Sequence, residues 1–86
     1  MGKYAKLMQK ILVGGADSNI EFSDLSQLLI RLNFDKRVRG SHHIFFRKDV
    51  VEILNLQPKG KKAKAYQVKQ VRNIIIKYRL GESDVD

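Results

Sequence analysis

The chain is expected to fold as a single α+β domain, with helices on one face of a three-stranded antiparallel sheet. Three observations point there. Apolar residues recur at helical spacing near the start, between residues 24 and 33, and again between 65 and 79. Between the last two of these stretches, residues 36–57 change to short runs rich in β-branched and aromatic residues, parted by turn chemistry. At 86 residues there is room for one core only, so residues 1–86 form one unit.

The first helix is carried by Tyr4, Leu7, Met8, Ile11 and Leu12, which fall at i, i+3, i+4, i+7 and i+8. Gly14-Gly15 ends it, so residues 1–15 form an N-terminal helical unit, followed by a polar stretch from Ala16 to Glu21. Ser23 has the chemistry of an N-cap, with Asp24 beside the positive helix end. Leu25, Leu28, Leu29 and Leu32 then give a second helix over 24–33, with Asn33 and Asp35 at its exit.

Lys36-Arg37-Val38-Arg39 reads as a polar edge strand, where lysine discourages pairing with other chains. After Gly40-Ser41, residues 42–47 read as a second strand. Lys48-Asp49 is a turn. Residues 51–57 read as a third strand, with Val51, Ile53, Asn55 and Gln57 on one face and Glu52, Leu54 and Leu56 on the other, although residues 50–54 also suit a helical turn. Pro58 stops the strand because it has no N–H for the ladder. A basic loop, residues 59–64, leads to a third helix over 65–79. Ala65, Val68, Val71, Ile75 and Tyr78 form its apolar stripe, and Gly81 is its expected stop. The acidic tail, 81–86, is expected to be disordered.

Charge narrows the function. The net charge is +8, with a pI near 10. Residues 1–34 carry +1, residues 35–80 carry +10 and residues 81–86 carry −3. A region this basic attracts polyanions, nucleic acid above all. With no cysteine, a disulfide framework and a thiolate metal site are excluded. The longest apolar runs, Ile11-Leu12-Val13 and Ile74-Ile75-Ile76, are far shorter than a membrane span, and no secretory signal is recognisable at Met1-Gly2-Lys3-Tyr4. Gly2 opens a myristoylation pattern that Lys6 breaks. The expectation is a soluble cytoplasmic protein without a membrane partner.

The distinctive segment is Gly40-Ser41-His42-His43-Ile44-Phe45, which holds the only two histidines. With a free pKa of about 6.5, histidine exchanges protons near neutrality. Beside a basic patch it can take the proton of a ribose 2′-hydroxyl while Lys and Arg steady the phosphate. Neighbours on a strand point to opposite faces, so His42 and His43 cannot chelate one metal together, and no metal or other cofactor is expected. Ser41 lacks the setting of a serine nucleophile, and neither Gly14-Gly15 nor Lys59-Gly60-Lys61-Lys62 makes a P-loop. A structural role for the histidines at a sheet edge and a plain solvated loop at 59–64 stand beside the functional readings. Of Phe45 and Phe46, one belongs to the core and the other suits base stacking; core for both is the expectation.

Without the first helix, the order α-β-β-β-α is that of a double-stranded RNA-binding domain. Three further features resemble the HicA toxins: the Gly40–Phe45 motif, the strand ending at Gln57-Pro58 with its basic loop, and a closing helix bearing Val71 and Ile74. These are small mRNA interferases of type II toxin–antitoxin systems. The resemblance spans residues 22–80. It implies a double-stranded RNA-binding-like fold, metal-independent RNA cleavage, and a HicB-like antitoxin that covers the active site. The toxin alone would be a monomer and would form a hetero-oligomer with that antitoxin. The family histidine directly after Gly-Ser maps to His42; in members with one more residue between, it maps to His43. Arg37, Arg39, Gly40, Ser41, Lys59, Lys61 and Lys62 are the expected RNA contacts. Two features depart from the family: the extra N-terminal helix, and Lys59 or Gly60 where members often carry a histidine after the proline. Two other readings fit the same residues: a non-catalytic RNA-binding module, and a domain whose basic face docks an acidic protein.

Overall fold

A computed structural model describes residues 2–81; the expected acidic tail beyond Gly81 lies outside the described residues. The order is α1 (Lys3–Val13), a single 3-10 turn (Asp17–Asn19), α2 (Phe22–Arg31), β1 (Asp35–Arg39), β2 (His42–Arg47), β3 (Val50–Leu56) and α3 (Ala65–Tyr78). The strands form an antiparallel sheet in the order β1-β2-β3. The fold is therefore α+β, with a three-stranded antiparallel meander set between helices.

Strand alternation decides what each face does. Phe45, Leu54 and Leu56 point inward and are buried with Leu25, Leu28, Leu29, Leu32, Val68, Val71 and Ile75 of the helices. Helix α1 lies against α2 and α3 and adds Met8 and Ile11 to this core. Leu12, counted with the α1 stripe from its spacing, is exposed, because the stripe that meets the other helices is narrower than five residues. The opposite face of the sheet, bearing Val51 and Ile53, carries no helix and stays open.

Several boundaries shift for local reasons. Helix α2 starts at Phe22, two residues early, with Glu21 at the N-cap position and no side-chain cap, so Ser23 lies inside the first turn. The chain there is held from outside the helix: Phe22 N–H donates to Lys61 O (2.9 Å) and Ala63 N–H to Ile20 O (2.9 Å). Asn33 takes a positive φ of 70°, as asparagine tolerates, and turns the chain into β1. Helix α3 ends at Tyr78, and its left-handed cap is Arg79 rather than Gly81. Arg79 adopts the left-handed conformation, and Leu80 N–H returns to Ile75 O (3.0 Å), which places the Leu80 side chain in the core. Ala65, expected in the α3 stripe, is exposed at the helix start; Gln67 is buried instead.

One cross-link ties the N-terminal unit to the rest. Arg72 of α3 donates through Nη1 to both carboxylate oxygens of Asp17 (2.9 and 3.1 Å) and to Ile11 O (3.3 Å). The pair is largely shielded from solvent, so salt screens it less than an open surface ion pair.

Candidate nucleic-acid interface on the open sheet face

The β1–β2 register sets the site. Arg39 pairs with His42, Arg37 with Ile44 and Asp35 with Phe46, so all six share the open face. Gly40 occupies the intervening turn at φ 59°, a left-handed conformation that glycine adopts without a Cβ penalty. On β3, Asn55 lies opposite Ile44 on the same face. Arg37, Arg39, Ile44, Phe46 and Ile53 line a shallow recess of about 260 Å³.

His42 is exposed, and its Nδ1 lies 3.2 Å from Asn55 Oδ1. Ser41 is held by Gln57, whose Nε2 donates to Ser41 Oγ at 2.8 Å. Two amide side chains, Asn55 of β3 and Gln57 just beyond it, thus brace the Ser41-His42 dipeptide. The sequence pattern had placed Asn55 and Gln57 on one face, but it carried no sign that this face was shared with His42, since strand register is a tertiary property.

His43 points the other way. Its ring packs edge-on against Phe22 of α2 (centroids 4.8 Å, 68°), and its Nδ1 is buried without a hydrogen-bond partner among the described residues. Burial, then the nearby positive charge of Lys36, pushes its pKa below the ordinary histidine value. Lys36 itself points beneath the sheet, donating to Ser26 Oγ (3.1 Å) with its ammonium 5.6 Å from the Phe45 ring centroid.

Phe45 is fully buried, while Phe46 is only half-buried, on the open face, with the Arg37 guanidinium 6.0 Å from its ring centroid. The expectation that both rings are core is therefore corrected: the pleat sends adjacent residues to opposite faces, and only one face is covered. The strand pairing is irregular between Phe45 and Arg47, so the ladder is interrupted at Phe46.

The basic loop follows β3 and Pro58. Lys59 and Lys62 exchange backbone hydrogen bonds (2.8 and 3.1 Å), closing a tight turn around Gly60. The Lys62 ammonium is occupied by Asn19 Oδ1 (2.9 Å) and Glu21 Oε1 (3.3 Å). Lys61 borders a recess with Phe22 and Ser23, and Lys59 and Lys62 border an open groove of about 900 Å³ with Lys64 and the exposed Tyr66. Gln57 links the two regions, since it lines this groove and holds Ser41. Arg37, Arg39, Gly40, Ser41 and His42 thus lie along the β1–β2 hairpin, while Lys59, Lys61 and Lys62 belong to the loop after β3 and border recesses of their own.

No family model matches the chain, and no curated protein or solved structure matches it either. Among the described residues no helix is long and apolar enough to cross a membrane.

Proposed function

We propose that the protein is a HicA-like toxin ribonuclease with a double-stranded RNA-binding-like fold, acting on mRNA in the cytoplasm. The observation that carries this reading is the placement of His42. Its ring is exposed on a face whose nearest charged neighbours in register are Arg39 and Arg37, and no helix covers it. Arg37 and Arg39 suit the phosphate backbone, and the half-buried Phe46 ring beside Arg37 suits a stacked base. His43 is the weaker candidate, because its ring packs on Phe22 and its environment disfavours the charged form.

In this reading His42 removes the 2′-hydroxyl proton. The 2′-oxygen attacks phosphorus, the P–O5′ bond breaks, and a 2′,3′-cyclic phosphate forms. The leaving 5′-oxygen takes a proton from water, and the imidazolium returns its own to solvent. Arg39, in register with His42, offsets charge on the phosphate as it builds. An acidic surface on a HicB-like antitoxin would complement the same basic face and keep RNA away.

The test compares RNA cleavage by the wild type, His42→Ala and His43→Ala. Cleavage is expected to fall by at least 100-fold in His42→Ala and to persist in His43→Ala. A substrate with deoxyribose at the cut site is expected to resist. Equal RNA binding by all three proteins, with cleavage by none, would favour a non-catalytic RNA-binding module built on Arg37, Arg39 and Phe46.

A further inference from the structure

Histidine works as a base only through the nitrogen that lacks a proton, and a neutral ring has two choices. On this sheet face one choice is favoured. His42 Nδ1 lies 3.2 Å from Asn55 Oδ1, an oxygen that can only accept a hydrogen bond. A ring that donates there carries its proton on Nδ1 and leaves the Nε2 lone pair free.

The supports around the pair are firm. Asn55 sits on β3 opposite Ile44 in the central strand, so its backbone is held by the ladder. Ser41, just before His42, is fixed by Gln57 two positions beyond Asn55. The charged group in register with His42 is Arg39, with Arg37 two positions further along β1; from β3 the ring meets the neutral amide of Asn55, while Gln57, just beyond that strand, holds Ser41. A neutral acceptor orients the ring without adding the charge that an aspartate would.

We propose that Asn55 is a positioning residue, which fixes the proton of neutral His42 on Nδ1 and presents Nε2 to the RNA. The role in cleavage rests on the ribonuclease reading above. The geometry of the ring does not, and it is measurable in the protein alone.

The experiment is long-range 15N–1H correlation NMR of the histidine rings at a pH where they are neutral, on the wild type, Asn55→Ala and Asn55→Asp. The expected result is the Nδ1–H form of His42 in the wild type and in Asn55→Asp, and a move toward the Nε2–H form preferred by free imidazole in Asn55→Ala. The His43 signals, from the other face of the sheet, should not change and report that the fold is intact. In parallel, kcat/KM for RNA cleavage should fall about tenfold in Asn55→Ala, the size of one lost hydrogen bond. In Asn55→Asp the new carboxylate favours the imidazolium, so the base limb of the pH profile should move to higher pH. A wild-type His42 in the Nε2–H form, or a tautomer unchanged by Asn55→Ala, would overturn the proposal. A wild type that cuts no RNA would overturn the ribonuclease reading alone, with the tautomer still deciding whether Asn55 positions the ring.

Discussion

Gln67, buried on α3, holds the backbone of Gln57 by both of its polar groups. With its nitrogen toward the Gln57 carbonyl, its amide donates there (3.0 Å) and accepts from the Gln57 N–H (3.1 Å). The reverse orientation would set oxygen against oxygen. Gln57 is the residue just beyond β3, so a side chain takes the place of a neighbouring strand there. Because Gln57 in turn holds Ser41, a buried residue on α3 supports the turn that precedes His42.

Gln67→Ala leaves that backbone N–H and C=O without their partner in a closed environment. The expected cost is about 2 kcal/mol of stability, read from urea unfolding. Gln67→Glu should cost at least as much, since an ionised carboxylate cannot donate to the Gln57 carbonyl.

Glu52 predicts an acid-dependent step in stability. Its carboxylate accepts from Lys77 Nζ (2.7 Å) and Tyr78 Oη (2.6 Å), chiefly the lysine, and these bonds hold its pKa down at about 2; the same contact raises the Lys77 pKa. A group with a depressed folded pKa stabilises the fold above its unfolded pKa and loses that contribution as pH falls toward the folded value. Thermal midpoints should therefore drop between about pH 4.5 and pH 2, and Glu52→Gln should flatten the drop across that window. An unchanged slope in the variant would show that the pair contributes nothing in solution.

His43 acts at milder pH. Its folded pKa is lowered, so the fold favours the neutral ring. Its contribution is complete above the unfolded value of about 6.5 and declines as pH falls below it. His43→Phe keeps an aromatic edge against Phe22 and removes both the unpaired Nδ1 and this titration. The variant should be at least as stable as the wild type at pH 7, and its advantage should grow by pH 5. Calorimetry at the two pH values measures both.

Under the proposed ribonuclease reading, the open face predicts how RNA would be held. Arg37→Ala and Arg39→Ala should each weaken RNA binding and each reduce the slope of log K against log salt by about one. Phe46→Ala should cost about 1–3 kcal/mol of binding to single-stranded RNA with little change in the salt slope, because stacking is not ionic. Lys62→Ala should change RNA affinity less than Arg39→Ala, as its ammonium already serves Asn19 and Glu21. Fluorescence anisotropy over a salt series separates the three effects.

Much of the fold was legible along the chain, because it rests on local periodicity. Leu25, Leu28 and Leu29 of α2 and Leu32 at its C-cap recur at helical spacing and all four are buried; Leu54 and Leu56 alternate inward as their pattern requires; the edge position of β1 follows from its polar run. Where the reading missed, a distant partner had replaced a local signal. Ser23 looks like a cap, yet hydrogen bonds to Lys61 and from Ala63 hold that corner. Gln67 looks like surface, yet the end of β3 draws it inward.

The candidate site divides in the same way. By itself, the sequence determined that a strand would carry two adjacent histidines within a strongly basic stretch, and that they would face opposite ways, since successive side chains alternate on any strand. Only the tertiary structure decided which histidine is exposed. Helices cover one face of the sheet, so His43 turns under against Phe22, while His42 stays on the open face with Arg39 and Asn55. The physical reason is that a pleat fixes relative direction locally, whereas burial depends on which face the distant apolar stripes of α2 and α3 cover.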